Sequence, residues 1–259
     1  MTETIDDSGI INEVARILSE AKYVVALTGA GISTDSGIPD FRSETSGLWN
    51  DHEAMQAATL AGFRRNPQAF YDWVRPLTEM ILRAQPNAAH SVLASLEQQQ
   101  IVKSVITQNI DMLHTRAGTQ KVYELHGQLR QATCLHCFKV ADNAPLIDQF
   151  LKDGKTPLCE VCGGPMKPNV VLFGEQLPID QWLLAKEAAR LCDVMLVVGS
   201  SLEVAPASDL PLMAKSRGAQ LIFINLQPSA LDHYADIIVH ERAAYVMPRI
   251  LQALETLPR

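Results

Sequence analysis

The sequence contains little that would direct the chain to a membrane or to nucleic acid. No apolar run approaches the roughly 18 to 20 residues that a membrane-spanning helix needs. Basic residues are the minority, since 22 Lys and Arg stand against 29 Asp and Glu and the pI is near 5.5. A protein that follows a phosphate backbone needs the opposite balance. We therefore expect neither membrane nor nucleic acid among its partners.

The sequence also lacks low-complexity stretches and a basic leader. Its 14 Gly and 14 Pro show no repetitive bias, and 47% hydrophobic with 20% charged residues is ordinary globular usage. Residues 1–7 are acidic where a targeting signal would be basic. Cysteines are few, and four of the five form two Cys-x-x-Cys pairs, which in a reducing compartment indicate metal rather than disulfides. We expect a cytoplasmic protein.

Short apolar runs alternate along the chain with amphipathic stretches, a pattern typical of an α/β protein. The runs are rich in β-branched residues and apolar on both faces, as in a buried parallel sheet. The sequence therefore predicts a doubly wound parallel sheet whose carboxyl edge, rich in glycine and polar residues, binds a ligand. The predicted strands are residues 22–28, 102–107, 170–173, 194–198 and 221–225, and the predicted helices include residues 9–20, 179–190 and 205–217.

A glycine turn follows the first predicted strand. Gly29-Ala30-Gly31 resembles the start of a dinucleotide-binding fingerprint, in which backbone amides bind a pyrophosphate. The third glycine position holds Thr34, and residues 33–50 read as a polar loop rather than a helix leading to a ribose-binding acid. This departure disfavours a dehydrogenase that transfers hydride. An ordinary strand-to-helix turn remains open on this motif alone.

The paired cysteines have the spacing of a zinc ribbon. Two residues separate the members of each pair and 21 separate the pairs, one more than the usual range. Four thiolates complete a tetrahedral shell, so the predicted metal is structural; unliganded thiols are the alternative. His136 lies inside the first pair and receives little weight as a ligand, and Cys192 is expected to be a small core residue. The predicted ligands are Cys134, Cys137, Cys159 and Cys162.

Several motifs occur together in one order: residues 29–43, Thr107-Gln-Asn-Ile-Asp111, Leu125-His-Gly127, the two cysteine pairs, Phe173-Gly-Glu175 and Gly199-Ser-Ser201. This set resembles the sirtuin family of NAD-dependent protein lysine deacylases over nearly the whole chain. The resemblance implies a Rossmann-type large domain and a small domain made of a helical insert and a zinc ribbon. The large domain would comprise residues 1–52, 86–127 and 169–259, the helical insert residues 53–85 and the zinc-ribbon insert residues 128–168.

The resemblance also implies roles for single residues. His126 would be the catalytic base that takes a ribose hydroxyl proton, although a lone histidine is more often a packed or solvated residue. Asn109 would orient the nicotinamide ribose and Asp111 would accept from the carboxamide; an Asx-rich turn is the alternative. The remaining implied NAD contacts are Gly29, Ala30, Gly31, Thr34, Asp40, Phe41, Arg42, Gln108, Ile110, Gly199, Ser200, Ser201, Asn225, Leu226, Gln227 and Ala243.

The substrate would bind beside the segment that leaves the zinc insert. By resemblance, residues 171–175 pair with the substrate backbone as an added strand, and Val171 and Phe173 line the acyl-lysine tunnel. Gly174, Glu175 and Val204 complete the implied substrate contacts. An ordinary buried strand is compatible with this interpretation.

The resemblance implies transfer of the acetyl group of an acetylated protein lysine to ADP-ribose, with release of nicotinamide from NAD. A protein ADP-ribosyltransferase, a deacylase of longer neutral acyl groups and a non-catalytic zinc-ribbon module are the alternatives. Sirtuins that remove acidic acyl groups share a Tyr-x-x-Arg pair in the helical insert. Val74 and Leu77 occupy the corresponding positions here, and Tyr71 and Arg75 are one residue too far apart, so neutral acyl groups are expected.

Overall fold

The computed structural model describes residues 8–40 and 52–257. This part of the chain alternates helices and strands. In chain order they are α1 (Ser8–Glu20), β1 (Val24–Thr28), a 3₁₀ helix (Ala30–Ser36), α2 (His52–Ala57), α3 (Leu60–Arg65), α4 (Pro67–Arg83), α5 (Ala88–Gln98), β2 (Val102–Thr107), α6 (Leu113–Arg116), β3 (Val122–Glu124), β4 (Gly127–Cys134), β5 (Val140–Asp142), α7 (Ala144–Asp153), β6 (Met166–Val170), α8 (Ile179–Leu191), β7 (Val194–Val198), α9 (Asp209–Lys215), β8 (Gln220–Ile224), a second 3₁₀ helix (Asp232–Tyr234), β9 (Ile237–Val239) and α10 (Ala243–Thr256).

The larger sheet is parallel and has six strands in the order β3-β2-β1-β7-β8-β9. Every residue of β1 and β7 is buried, because helices cover both faces of the sheet. Apolar residues of α1, α5 and α10 pack on one face, and those of α8 and α9 pack on the other. The predicted doubly wound α/β fold is confirmed.

A smaller module stands beside this sheet. It contains a three-stranded antiparallel sheet, β5-β4-β6; Cys134 is the last residue of β4, and the other three paired cysteines lie in the loops that lead to β5 and β6. Phe70 and Tyr71 of α4 pack with Phe150 of α7 and with Leu129 and Val170 of this sheet, so one apolar core joins the helical segment to the cysteine module. The domain boundaries given above stay predictions.

The strand predicted over residues 170–173 is wrong in both position and sheet. Strand β6 ends at Val170 and pairs antiparallel with β4, with Met166 opposite Cys134. Beyond it, the Val171 amide bonds the His126 carbonyl at 2.8 Å, and Phe173 forms a bridge with Thr59. A β-branched run indicates extended chain but does not identify the partner strand.

Smaller differences concern element ends. The helix expected over residues 205–217 is α9, which begins only at Asp209 after turns. Strands β4, β5 and β9 and helix α7 were not predicted. In the described residues, no helix combines the length and the apolar character needed to cross a membrane.

Candidate active site

The loops after β1 and β7 pack directly against each other at the carboxyl edge of the large sheet. The Gly31 amide donates to the Gly199 carbonyl at 2.8 Å. A Cβ on Gly29 would lie 2.8 Å from the Gly199 oxygen, and one on Gly31 would lie 2.9 Å from the Gly199 Cα. Glycine is therefore required at both positions because the two loops touch there, whether or not a ligand also approaches them.

A cavity of about 1210 Å³ opens beside these loops and extends between the large sheet and the smaller module. Its volume exceeds the roughly 300 to 1,000 Å³ of a typical small-ligand pocket. Of the predicted site residues, those lining it are Gly29, Ala30, Gly31, Thr34, Asp40, Gln108, Asn109, Ile110, His126, Val171, Phe173, Gly174, Glu175, Gly199, Ser200, Ser201, Val204, Asn225, Leu226, Gln227 and Ala243. Asp111 lies outside the lining. Phe41 and Arg42 lie outside the described residues.

His126 follows β3 and has a defined orientation. Its Nδ1 lies 2.8 Å from the Gln108 carbonyl oxygen. A carbonyl only accepts, so Nδ1 carries the hydrogen and Nε2 of the neutral ring keeps its lone pair. Burial lowers the pKa of His126 below its usual 6.5, while the bond to Gln108 acts in the opposite direction. The neutral ring can therefore act as a base at neutral pH.

The next residue, Gly127, has a structural role at this point. Its φ is 78°, and a Cβ there would lie 2.1 Å from the Asn169 carbonyl oxygen. Because Gly127 has no side chain, the start of β4 can pack directly against the backbone of Asn169, which leads into residues 170–175. This contact alone requires a glycine at position 127.

Asn109 and Asp111 belong to one buried hydrogen-bond network beneath the cavity. The Asn109 Nδ2 donates to the Gly29 carbonyl at 3.0 Å and to Ser33 Oγ at 3.2 Å. Ser33 Oγ donates to Asp111 Oδ2 at 2.6 Å, and the Leu113 amide donates to Asp111 Oδ1 at 2.9 Å. Burial raises the pKa of Asp111, and these hydrogen bonds oppose the rise. The network fixes the end of β2 to the glycine loop.

A second network joins three loops farther along the edge. The Asn225 side chain accepts from the Ser200 amide at 2.8 Å and donates to the Ser200 carbonyl at 3.0 Å. The Gln108 Nε2 donates to Ser200 Oγ at 2.8 Å. Asn225 therefore holds the loop after β7 in addition to lining the cavity.

The half of the cavity nearer the smaller module is largely apolar. Phe70, Val74 and Leu77 reach it from one face of α4, at spacings of four and three residues. Helical periodicity identifies such a face, but only the tertiary packing shows that it borders a cavity. The other lining residues absent from the predicted site are Met55, Ala58, Trp73, Val170, Leu172, Gln176, Leu177, Ile179, Trp182, Ala205, Pro206, Ile224, Pro228 and Arg242.

The four paired cysteines form one cluster. Their sulfur atoms all lie within 4.8 Å of one another, with Cys134 to Cys162 at 3.5 Å and Cys137 to Cys159 at 3.6 Å. Four sulfurs around one zinc at about 2.3 Å would be about 3.8 Å apart, so the arrangement fits a tetrahedral ion. His136 is not part of the cluster. Cys192 is buried, as expected of a core residue.

The polar half of the cavity also fits a dinucleotide. It is built from glycine, serine and amide residues at the ends of parallel strands, where backbone amides commonly bind phosphates. Fold and site together define an α/β protein with a dinucleotide-sized cleft beside a four-cysteine metal module.

The chain belongs to the Sir2 family, whose model matches residues 29–206. An NAD-dependent protein deacylase 2 from Archaeoglobus fulgidus is 44% identical over 248 residues, covering 95% of this chain and 97% of that protein. An NAD-dependent protein deacetylase from Sulfurisphaera tokodaii is 42% identical over 245 residues, covering 95% and 96%. A structure of a Sir2 protein with a p53 peptide and NAD⁺ superposes with a TM-score of 0.85 at 38% identity, covering 93% of this chain and 96% of that chain.

Proposed function

We propose that this protein is an NAD-dependent protein lysine deacetylase, which transfers the acetyl group of acetyl-lysine to ADP-ribose and releases nicotinamide. The observation that carries the proposal is His126, a half-buried neutral histidine with its lone pair at Nε2, in a cavity that is polar on one side and apolar on the other. Bound NAD supplies a sugar carbon whose bond to nicotinamide can break.

His126 is the proposed general base. Its Nε2 accepts a proton from a sugar hydroxyl, and the Nδ1–H···O=C bond to Gln108 keeps the ring in the tautomer that this requires. The buried network keeps Asn109 next to the nicotinamide end of the cleft. Asp111 lies outside the cavity lining, and its proposed bond from the carboxamide rests on the resemblance; a carboxylate oxygen accepts more than one hydrogen bond, so the bond from Ser33 does not exclude it.

The remaining NAD contacts follow the carboxyl edge of the sheet. The loop from Gly29 to Thr34 and the loop at Ser200 and Ser201 would offer amides and hydroxyls to the phosphates. Asn225, Leu226, Gln227 and Ala243 would surround the adenosine. Phe41 and Arg42 are proposed NAD contacts on the resemblance alone.

The acyl-lysine would enter between the two halves of the molecule. Val171, Phe173 and Val204 line the cavity there, together with the apolar face of α4. A dry, apolar tunnel aligns a weakly nucleophilic amide oxygen and excludes water. Zinc bound by the four cysteines would hold the smaller module together.

The test is incubation with NAD and a panel of acylated peptides, with nicotinamide and O-acyl-ADP-ribose measured by mass spectrometry. We expect acetyl-lysine peptide to give both products. His126→Ala should lower the rate by roughly 10² to 10⁴, since that is what a general base contributes. NAD binding should persist in this variant. The matched control is His233→Ala, which alters an exposed histidine away from the cavity.

Two outcomes would contradict the proposal. If ADP-ribose from NAD were found attached to protein rather than in a small acyl product, the reaction would be ADP-ribosyl transfer. A preference for long acyl groups would indicate the other alternative, a deacylase of longer neutral chains.

We also propose that the protein works in the cytoplasm. The free cysteines support this, because thiols that do not form disulfides are typical of a reducing compartment. Cell fractionation tests it, and enrichment in an oxidising compartment would contradict it.

A further inference from the structure

Lys167 is a buried ammonium group in β6. The residue is only 7% exposed, and burial lowers its pKa while Glu175 opposes that change. A buried charge is costly unless it is paired and each of its hydrogens has an acceptor. Lys167 Nζ has three such acceptors: the Pro168 carbonyl at 3.2 Å, the Val170 carbonyl at 2.8 Å and Glu175 Oε2 at 2.9 Å. An ammonium group has three N–H donors, so its capacity is fully used.

All three acceptors come from one short segment. The chain from Pro168 to Glu175 leaves the smaller sheet, turns and is tied back to Lys167 at its start and at its end. Glu175 Oε2 also accepts from the Leu172 amide at 2.8 Å, and the Glu175 amide donates to the Leu172 carbonyl at 3.0 Å. Gly174 has a φ of 87°, which the tight turn between these two bonds requires.

The opposite side of the segment is held by the helical part of the smaller module. The Phe173 amide donates to the Ala58 carbonyl, and the Leu60 amide donates to the Phe173 carbonyl, each at 3.0 Å. Residues 170–175 all line the cavity, whereas Lys167 does not. Lys167 thus shapes a wall of the cavity without reaching it.

We infer that Lys167 is a positioning residue for the acyl-lysine substrate: it fixes the conformation of residues 170–175, the proposed peptide-binding segment. The inference rests on the proposed function. The NAD-binding loops belong to the large sheet and share none of the Lys167 contacts, although the Val171 amide of the segment bonds the backbone carbonyl of His126. Loss of the ammonium group should therefore weaken peptide binding and leave NAD binding almost unchanged.

The test compares Lys167→Met, which keeps an unbranched apolar side chain as far as Cε and removes the ammonium group, with Lys155→Met, which changes an exposed lysine of the same module. We expect the KM for acetylated peptide to rise roughly ten-fold or more in Lys167→Met, since small misplacements at a binding segment are costly. The KM for NAD should change by less than about two-fold, and zinc content should equal that of the parent. Lys155→Met should match the parent in all three. Peptide affinity without NAD, from fluorescence anisotropy, gives a readout independent of turnover.

A second variant covers the case in which Lys167→Met does not fold. Glu175→Gln keeps the shape of the turn and removes the ion pair, and it should raise the peptide KM by a smaller factor. Where Lys167→Met does fold and Lys167 acts through Glu175, the peptide KM of the double variant should be no higher than that of Lys167→Met alone.

An unchanged peptide KM in a folded, zinc-loaded variant would overturn the inference, and so would equal rises of the KM for peptide and for NAD. The parent protein is assayed first. If it releases no acyl product, the proposed function fails; if it is active and the variants keep their peptide KM, only this inference fails.

Discussion

At the scale of single residues, the environment of His126 determines how activity should respond to pH. Burial lowers the pKa of the ring below 6.5, and the Gln108 carbonyl only partly offsets this. Because the base must be neutral, activity is lost as pH falls through that lowered pKa. We therefore predict that the acidic limb of the kcat/KM profile has its midpoint below pH 6.5. A midpoint at or above pH 7 would contradict this prediction, because it would mean that the charged form of the ring is stabilised more strongly than burial destabilises it.

At the scale of elements, the orientation of α4 determines the acyl preference. Val74 and Leu77 line the cavity, whereas the Tyr71 hydroxyl donates to the Met166 carbonyl at 2.9 Å and Arg75 bonds the Leu151 carbonyl. The two groups that could hold a carboxylate therefore point away from the cavity. An unpaired carboxylate in an apolar tunnel costs several kcal/mol, so succinyl-lysine should react roughly 10²-fold or more slowly than acetyl-lysine.

The comparison of kcat/KM for succinyl and acetyl peptides measures this preference directly. Equal values would show that the assigned helix register or the electrostatic argument is wrong. Val74→Tyr combined with Leu77→Arg should raise succinyl activity, because it places both groups on the lining face. Arg75→Gln is the matched control and should leave the ratio of the two substrates unchanged.

The two cysteine turns have the same backbone geometry, but the residue that follows the last cysteine differs between them. Phe138 and Gly163 follow the last cysteine of each pair, and their amides bond the carbonyls of Cys134 and Cys159 at 3.0 and 2.8 Å. Both have left-handed φ values, 60° and 70°, a region that disfavours a bulky residue. The Phe138 side chain is 74% exposed, so little packing opposes its removal.

We predict that Phe138→Gly leaves the free energy of unfolding unchanged or raises it by about 1 kcal/mol, because relief of backbone strain offsets the entropy that glycine adds to the unfolded chain. Val161→Gly, at an equally exposed position with an ordinary φ, should instead lose about 1 kcal/mol. Chemical denaturation of the zinc-loaded proteins measures the difference, and elemental analysis should give one zinc per chain in both. If Phe138→Gly is the more damaging change, the phenylalanine stabilises the turn.

At the scale of the whole molecule, the sequence predicts what depends on local pattern. Apolar runs such as Val194–Val198 define buried parallel strands, and cysteine spacing defines a metal cluster, because each signal lies within a few residues. Features that depend on distant contacts were missed or misinterpreted. The run from Val170 to Phe173 pairs in a different sheet from the one predicted, and no local pattern indicates that Gly127 lies against the Asn169 carbonyl.

Stability of the whole fold should also depend on pH, through a histidine that the reaction does not use. His90 is fully buried, and burial lowers its pKa to about 4. Its Nδ1 accepts from the Asn87 amide at 3.3 Å as part of a capping box. Protonation of Nδ1 would therefore place its N–H against the N–H of Asn87, and this hydrogen bond would be lost. His114, whose pKa burial also lowers, lies against it with ring centroids 4.9 Å apart.

The folded pKa of His90 lies below that of the unfolded chain, so between pH 6.5 and about 4 the unfolded state binds more protons. Stability should therefore fall with falling pH across this window, by up to about 1.4 kcal/mol per pH unit for this group. His90→Gln keeps a side-chain acceptor at the third position of the capping box and cannot titrate. We predict that this variant has a shallower decline in denaturation free energy between pH 6.5 and 4.5, while His233→Gln keeps the parental slope. Equal slopes for both variants would mean that the number of protons bound to His90 does not change on unfolding, and the decline would then have to come from another group whose pKa folding lowers, such as His114.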